Sequence, residues 1–263
     1  MPEADPTQRR GARHAAPQES GASTRGRVTS RPVLVVEHQQ ECPPGWVGEW
    51  LNDAGALLDV RRPYAGDGLP GSLADHAGVV VLGGHMGAND DSRHGWLSTT
   101  KARLREAAAD GIPALGVCLG HQLMAVALGG EVVTNPLGPR IGLTEVGWLP
   151  ERSRDRVLCA GGSLGVQWNA DVVTGLPIGA TALARNPYGE LQAARFAPTA
   201  WGVQWHPEAG ADILLHWADT DRATARDRGV DVDEVVRAVK EAEPDLRAAW
   251  RPLVLAFAAT LRP

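Results

Sequence analysis

The sequence predicts an α/β protein built on an open, mixed but largely parallel sheet flanked by helices. Two patterns carry that expectation. Up to residue 130, short β-branched runs alternate with stretches of helical apolar spacing, the rhythm of parallel strands joined by crossover helices. Beyond residue 130 the apolar runs are short and follow one another with little helix between them, which predicts a mixed or antiparallel part of the sheet. In 263 residues, 43% hydrophobic against 22% charged residues is enough to bury one sizeable core.

Residues 1–31 are dominated by Pro, Gly, Ser, Ala and Arg and read as a disordered, basic leader. They lack the continuous apolar region of a secretory signal, and their deletion is expected to leave stability and activity nearly unchanged. One domain is expected over 32–211 and a helical extension over 212–263. Val33-Leu34-Val35-Val36 is a β-branched run bounded by Pro32 and polar residues, which predicts a buried parallel strand. Gly45–Ala56 reads as a helix, with Trp46, Val47, Trp50 and Leu51 at helical spacing. Val60 belongs to a second strand, and Val79–Leu82 to a third that stops at Gly83-Gly84.

A helix is expected over Trp96–Ala109, a strand over Pro113–Val117 and a helix over Leu119–Leu128, closed by Gly129-Gly130. The short strands beyond are expected at Glu131–Thr134, Thr144–Trp148, Thr181–Ala184, Leu191–Phe196 and Trp201–Trp205. From Asp212 onward the chain is helical and charged. There Val235, Val236, Val239, Leu246, Trp250, Leu253 and Leu255 are placed to line helix faces against the body.

A net charge of −5 gives no reason to expect nucleic acid or an anionic membrane as partner, and the longest apolar runs fall far short of a membrane span. Three scattered cysteines, Cys42, Cys118 and Cys159, make neither a disulfide framework nor a metal site. No cofactor or metal is expected, and a reducing, cytoplasmic compartment is.

The most informative segment is Gly116-Val117-Cys118-Leu119-Gly120-His121-Gln122. An apolar strand runs into it and a helix leaves it, the setting in which a nucleophile is held on a sharp turn above a sheet. Glycines two before and two after the cysteine allow close backbone approach. The helix N-terminus favours a thiolate and offers amides to a developing oxyanion. Downstream, Trp201-Gly202-Val203-Gln204-Trp205-His206-Pro207-Glu208 alternates apolar and small or polar residues, so His206 stands where a strand ends. Thiol, imidazole and the Glu208 carboxylate together make a nucleophile, a base and an orienting group.

These two segments resemble the signatures of class I glutamine amidotransferases: the nucleophile motif G-x-C-x-G-x-Q and a strand ending in His-Pro-Glu. The similarity covers residues 33–210, and its nearest look is to stand-alone proteins resembling the glutaminase domain of GMP synthase. The resemblance implies a three-layer, flavodoxin-like fold and a catalytic triad of Cys118, His206 and Glu208. It implies an oxyanion hole from the amides of Gly84 and Leu119, since Gly83-Gly84-His85-Met86-Gly87 matches the family's glycine segment. Gln122 matches the glutamine that meets the substrate's amino-acid end, and Gly138–Gly142 the segment that closes over bound glutamine. Substrate contacts are therefore expected from Gly83, Met86, Gln122, Ile141 and Gly142. At Gln167–Asp171, Asn169 stands where close relatives more commonly carry histidine, altering a pocket wall. His38, His85, His94, His121 and His216 read as ordinary polar residues.

Hydrolysis of a γ-glutamyl amide is the activity implied, with glutamine as substrate and ammonia passed to a separate synthase subunit. The alternative is a self-contained hydrolase of a γ-glutamyl amine or peptide. The rival of another class is a non-catalytic binding module with the same fold. The extension after residue 212 is open to either simple packing or a homo-oligomer contact.

Overall fold

The structure is a computed structural model that describes residues 31–263. The leader assigned to 1–31 therefore lies, apart from Arg31, outside the described residues. Seven strands form the central sheet: β1 Val33–Val36, β2 Leu58–Arg61, β3 Gly78–Val81, β4 Ala114–Val117, β9 Thr181–Arg185, β10 Leu191–Ala197 and β11 Ala200–Val203. Their order is β2-β1-β3-β4-β11-β10-β9. The first five strands in that order run parallel, whereas β10 is antiparallel to both of its neighbours. The mixed, largely parallel sheet is as expected.

Strands β1, β3, β4 and β11 are buried along their whole length. Helices cover both faces, so these strands are apolar on both sides rather than alternating. Successive residues feed two cores. Val33, Val35, Val80, Leu115, Val117 and Val203 face one layer, made by α1 Gly45–Asp53, α4 Ala211–Arg226 and α5 Val232–Ala258. Leu34, Val36, Val79, Val81 and Ala114 face the other, made by α2 Trp96–Asp110 and α3 Leu119–Ala127.

The region beyond residue 130 differs from expectation in part. Strands β5 Glu131–Thr134 and β8 Asp171–Gly175 form one antiparallel ribbon, and β6 Arg140–Glu145 and β7 Leu164–Asn169 form another. Both ribbons stand apart from the central sheet. Two of these strands, β7 and β8, are not among those expected. Polar residues such as Gln167 and Asn169 break the apolar run of β7, yet both are buried: Asn169 faces the site, and Gln167 Nε2 donates to Gln192 Oε1 of β10. Strand β6 overlaps the expected Thr144–Trp148 only at Thr144 and Glu145.

Helix α5 contains Pro244 and Pro252, and its N-cap Asp231 accepts hydrogen bonds from the amides of Asp233 and Glu234. Val236, Val239, Leu246, Trp250 and Leu253 are buried against the sheet, while Val235 and Leu255 are half-buried. Trp250 stacks on Trp205 with ring centroids 4.7 Å apart. Beyond the helix, the Arg262 amide donates to Ala77 O at 3.0 Å, fastening the last residues to the start of β3. No helix of the described residues is long and apolar enough to cross a membrane.

Candidate active site

Strand β4 ends just before Cys118, and α3 begins at the residue after it. Cys118 has φ +50° and ψ −105°, and it is the one non-glycine residue with positive φ among the described residues. The flanking glycines have a steric reason. A methyl group on Gly116 would lie 2.5 Å from the Gly120 backbone, and one on Gly120 would lie 2.0 Å from Val81 O. The elbow thus presses α3 against β4 and β3 at once. The Cys118 amide donates to Val203 O at 2.9 Å, which ties the elbow to β11.

The segment after β11 is held just as firmly. The His206 amide donates to Val166 O at 2.8 Å, and Glu208 O accepts from the Trp46 amide at 3.0 Å. His206 Nδ1 and Glu208 Oε1 are 2.6 Å apart, both residues being buried. His206 Nε2 and Glu208 Oε2 have no hydrogen-bond partner within the protein. Gly83 lies beside both His206 and Cys118: a methyl there would sit 3.0 Å from His206 Cε1 and 3.7 Å from Cys118 Cβ. Burial alone would lower the His206 pKa, but the Glu208 carboxylate and the Cys118 sulfur raise it to about 10. The arrangement therefore favours an imidazolium at neutral pH.

Beside Cys118 opens a cavity of about 940 Å³. Of the expected contact residues, Gly84, Met86, Gln122 and Ile141 line it, as do Cys118 and Asn169. Gly83, Leu119 and Gly142 do not. Leu119 is buried under Gly84, and a methyl on Gly142 would meet Val235 of α5 at 3.5 Å. His38 and His121 are not ordinary polar side chains either. Both are fully buried, and burial lowers the pKa of each to about 3, so they stay neutral. Among the described residues, no group of three or more His, Cys, Asp or Glu side chains is arranged to hold a metal ion.

Three neighbours of the site are not marked by the sequence motifs. Trp217 of α4 lies against the His206 ring, centroids 4.5 Å apart, and its Nε1 donates to Glu41 O at 2.7 Å. Asp221, one turn on, accepts from Trp168 Nε1 at 2.7 Å, and both line the cavity. Gln204 is fully buried and donates to Cys118 Sγ at 3.6 Å. A signal for Gln204 exists, since residues two apart on a strand share a face and Gln204 precedes His206 by two. Nothing in the local pattern marks Trp217 or Asp221, whose positions depend on how α4 returns to the sheet.

Fold and site define an α/β protein whose Cys, His and Glu gather at the carboxyl ends of parallel strands, where ligand sites of open sheets form. The family model for class-I glutamine amidotransferases matches residues 70–212. The chain belongs to the class I glutamine amidotransferase family, enzymes that act on carbon–nitrogen amide bonds. It is 36% identical over 215 residues to the glutamine-hydrolyzing GMP synthase of Aeropyrum pernix, covering 75% of this chain and 38% of that protein. It is 42% identical over 117 residues to a subunit of the glutamine-hydrolyzing GMP synthase of Methanosarcina barkeri, covering 41% of this chain and 59% of that one. A γ-glutamyl-L-1-hydroxyisopropylamide hydrolase from a Pseudomonas species is 36% identical over 116 residues, 40% of this chain and 38% of that enzyme. Each match thus spans less than two thirds of the relative. A crystal structure of a glutamine amidotransferase from Methylobacillus flagellatus superposes with a TM-score of 0.77 at 26% identity, covering 88% of this chain and 96% of that one. One from Thermotoga maritima shares the fold, with a TM-score of 0.77 at 24% identity over 87% of this chain and 98% of that one.

Proposed function

We propose that this chain hydrolyses a γ-glutamyl amide, glutamine by default, with Cys118, His206 and Glu208 as its catalytic triad. The observation that supports this most is the buried 2.6 Å contact between His206 and Glu208 beside a cysteine held on a positive-φ elbow. Cys118, paired with a protonated His206, attacks the amide carbonyl through its sulfur and forms a carbon–sulfur bond. His206 then protonates the departing nitrogen, and the carbon–nitrogen bond breaks. Water gives its proton to His206 and cleaves the thioester, which frees the Cys118 sulfur beside a protonated His206 again. The amides of Gly84 and Leu119 receive the tetrahedral oxygen; Leu119 opens α3, so its N–H has no partner within the helix. Gln122 meets the amino-acid end of the substrate, Met86 and Ile141 form walls around it, and Gly83 and Gly142 shape the loop and strand behind them. A working thiol is kept reduced in the cytoplasm, and ammonia passes to a separate synthase protein. Kinship to a GMP synthase subunit supports that last step.

One observation favours a second reading, a self-contained hydrolase of a larger γ-glutamyl amine. At about 940 Å³ the cavity is large for glutamine alone, and Asp221 and Thr224 of α4 form part of its wall. The test is in two parts. The glutamine-analogue electrophile 6-diazo-5-oxo-norleucine should label Cys118 and neither Cys159, which is exposed, nor Cys42, whose thiol burial pushes far up. Equal labelling of another cysteine would overturn the triad. Turnover of γ-glutamyl compounds by the purified chain at about one per second or more selects the self-contained reading. Slow turnover that rises when a synthase protein is added selects the other.

A further inference from the structure

Two buried side-chain amides, those of Gln122 and Gln204, run from the cavity to the sulfur. Gln122 Nε2 donates to Asp171 O at 2.9 Å and to Gln204 Oε1 at 3.2 Å. Gln204 Nε2 in turn donates to Cys118 Sγ at 3.6 Å. The orientation of each amide follows from the one before it. A backbone carbonyl only accepts, so the Gln122 NH₂ faces Asp171 O. That NH₂ also meets Gln204, so the Gln204 carbonyl oxygen faces Gln122 and its own NH₂ is left facing the sulfur. Gln204 is fully buried and its backbone N–H donates to Gln192 O at 2.7 Å, which fixes the main chain from which the side chain reaches the sulfur.

We propose that Gln204 is a catalytic residue: it donates a hydrogen bond to the Cys118 sulfur that holds it as a thiolate, and Gln122 is the positioning residue that aims it. This rests on the reading of Cys118 as nucleophile. A thiol is a weak acceptor and a thiolate a strong one, so a fixed N–H donor favours the ionised form. The other titratable groups whose charge reaches Cys118 are His206, with Glu208 behind it, and Cys42 from the segment after β1, itself flanked by Glu41. His206 shares with Cys118 the space beside Gly83, while Gln204 approaches the sulfur from the end of β11, the strand that follows β4 in the sheet order. The same chain links substrate contact to nucleophile: a ligand that pulls the Gln122 amide out of place also releases Gln204.

Alkylation of the full-length chain by iodoacetamide, followed at the Cys118 peptide across pH, is the test. The sulfur attacks the methylene carbon and iodide leaves, so the rate reads the thiolate fraction directly. Gln204→Leu should move the midpoint for Cys118 upward by about one pH unit, which slows labelling about tenfold at pH values well below both midpoints. Gln204→Glu keeps the shape but removes the donor and should shift it further. Gln122→Leu leaves Gln204 in place but free to turn and should give a smaller shift in the same direction. It also supplies the readout should Gln204 variants fail to fold. Unchanged midpoints in folded variants, even with lowered turnover, would reduce Gln204 to packing. A wild-type midpoint no lower than that of a free thiol would instead overturn Cys118 as the activated nucleophile.

Discussion

Two effects oppose each other at His206, and their balance sets a pH dependence of stability. Burial disfavours the imidazolium, while the Glu208 carboxylate at 2.6 Å and the Cys118 sulfur favour it, and the value rises from 6.5 to about 10. A raised value means that the folded protein holds this proton more tightly than the unfolded chain. The stabilisation is then fully present below about 6.5 and is lost as pH rises through about 10. The melting temperature of the wild type should therefore fall more steeply between these limits than that of His206→Gln, as thermal scans in matched buffers would show. Parallel curves would mean that the folded imidazole is neutral. At this scale the sequence is most legible where chemistry is local. Cys118, His206 and Glu208 sit in two short segments whose glycines and strand pattern announce them. Gln204 lies inside one of those segments but reads as the polar half of an alternating strand, because nothing in the pattern says that the residue just past β11 is fully buried.

Elements explain why the elbow cannot relax. Gly120 lets α3 approach Val81 O of β3, where a methyl would intrude to 2.0 Å. Overpacking of this kind costs about 1–3 kcal/mol or more, and here the strain falls on the turn that aims Cys118. Gly120→Ala should lose turnover by orders of magnitude while circular dichroism stays near native; wild-type kcat in that variant would show that the elbow has slack. Strands β1, β3 and β4 are readable because strands covered on both faces are runs of Val and Leu with little else but small residues. The ribbons are not. Strand β7 carries Gln167, Trp168 and Asn169, whose partners are Gln192 of β10, Asp221 of α4 and the cavity, and pairing between distant short strands leaves no periodic trace in either one.

In the whole molecule, α4 and α5 complete one of the two cores rather than decorate it. Leu214, Trp217, Trp250, Leu253 and Phe257 are all buried in the cluster that holds Trp201 and Trp205. Fully burying one such side chain is worth about 1.5–3 kcal/mol, and a domain's net stability is only about 5–15 kcal/mol. A chain ending at residue 211 should therefore lack cooperative unfolding and aggregate, judged by thermal scans and light scattering. A soluble, cooperatively melting fragment would show that 32–211 stands alone. Composition marks the tail as helical, but its share in the core depends on a return path that Arg262 closes against Ala77.

Cys118 has one more consequence. A side chain at φ +50° and ψ −105° occupies backbone space that glycine enters freely and other residues enter at a cost of about 1–3 kcal/mol. Selection for heat resistance, with no demand for turnover, would then act first on the residue proposed as nucleophile. Cys118→Gly should melt a few degrees above the wild type, and a library screened only for survival on heating would enrich inactive chains. If Cys118 is the nucleophile proposed above, heat tolerance and hydrolysis compete at this residue, and its retention in a heat-selected population would report that activity was under selection.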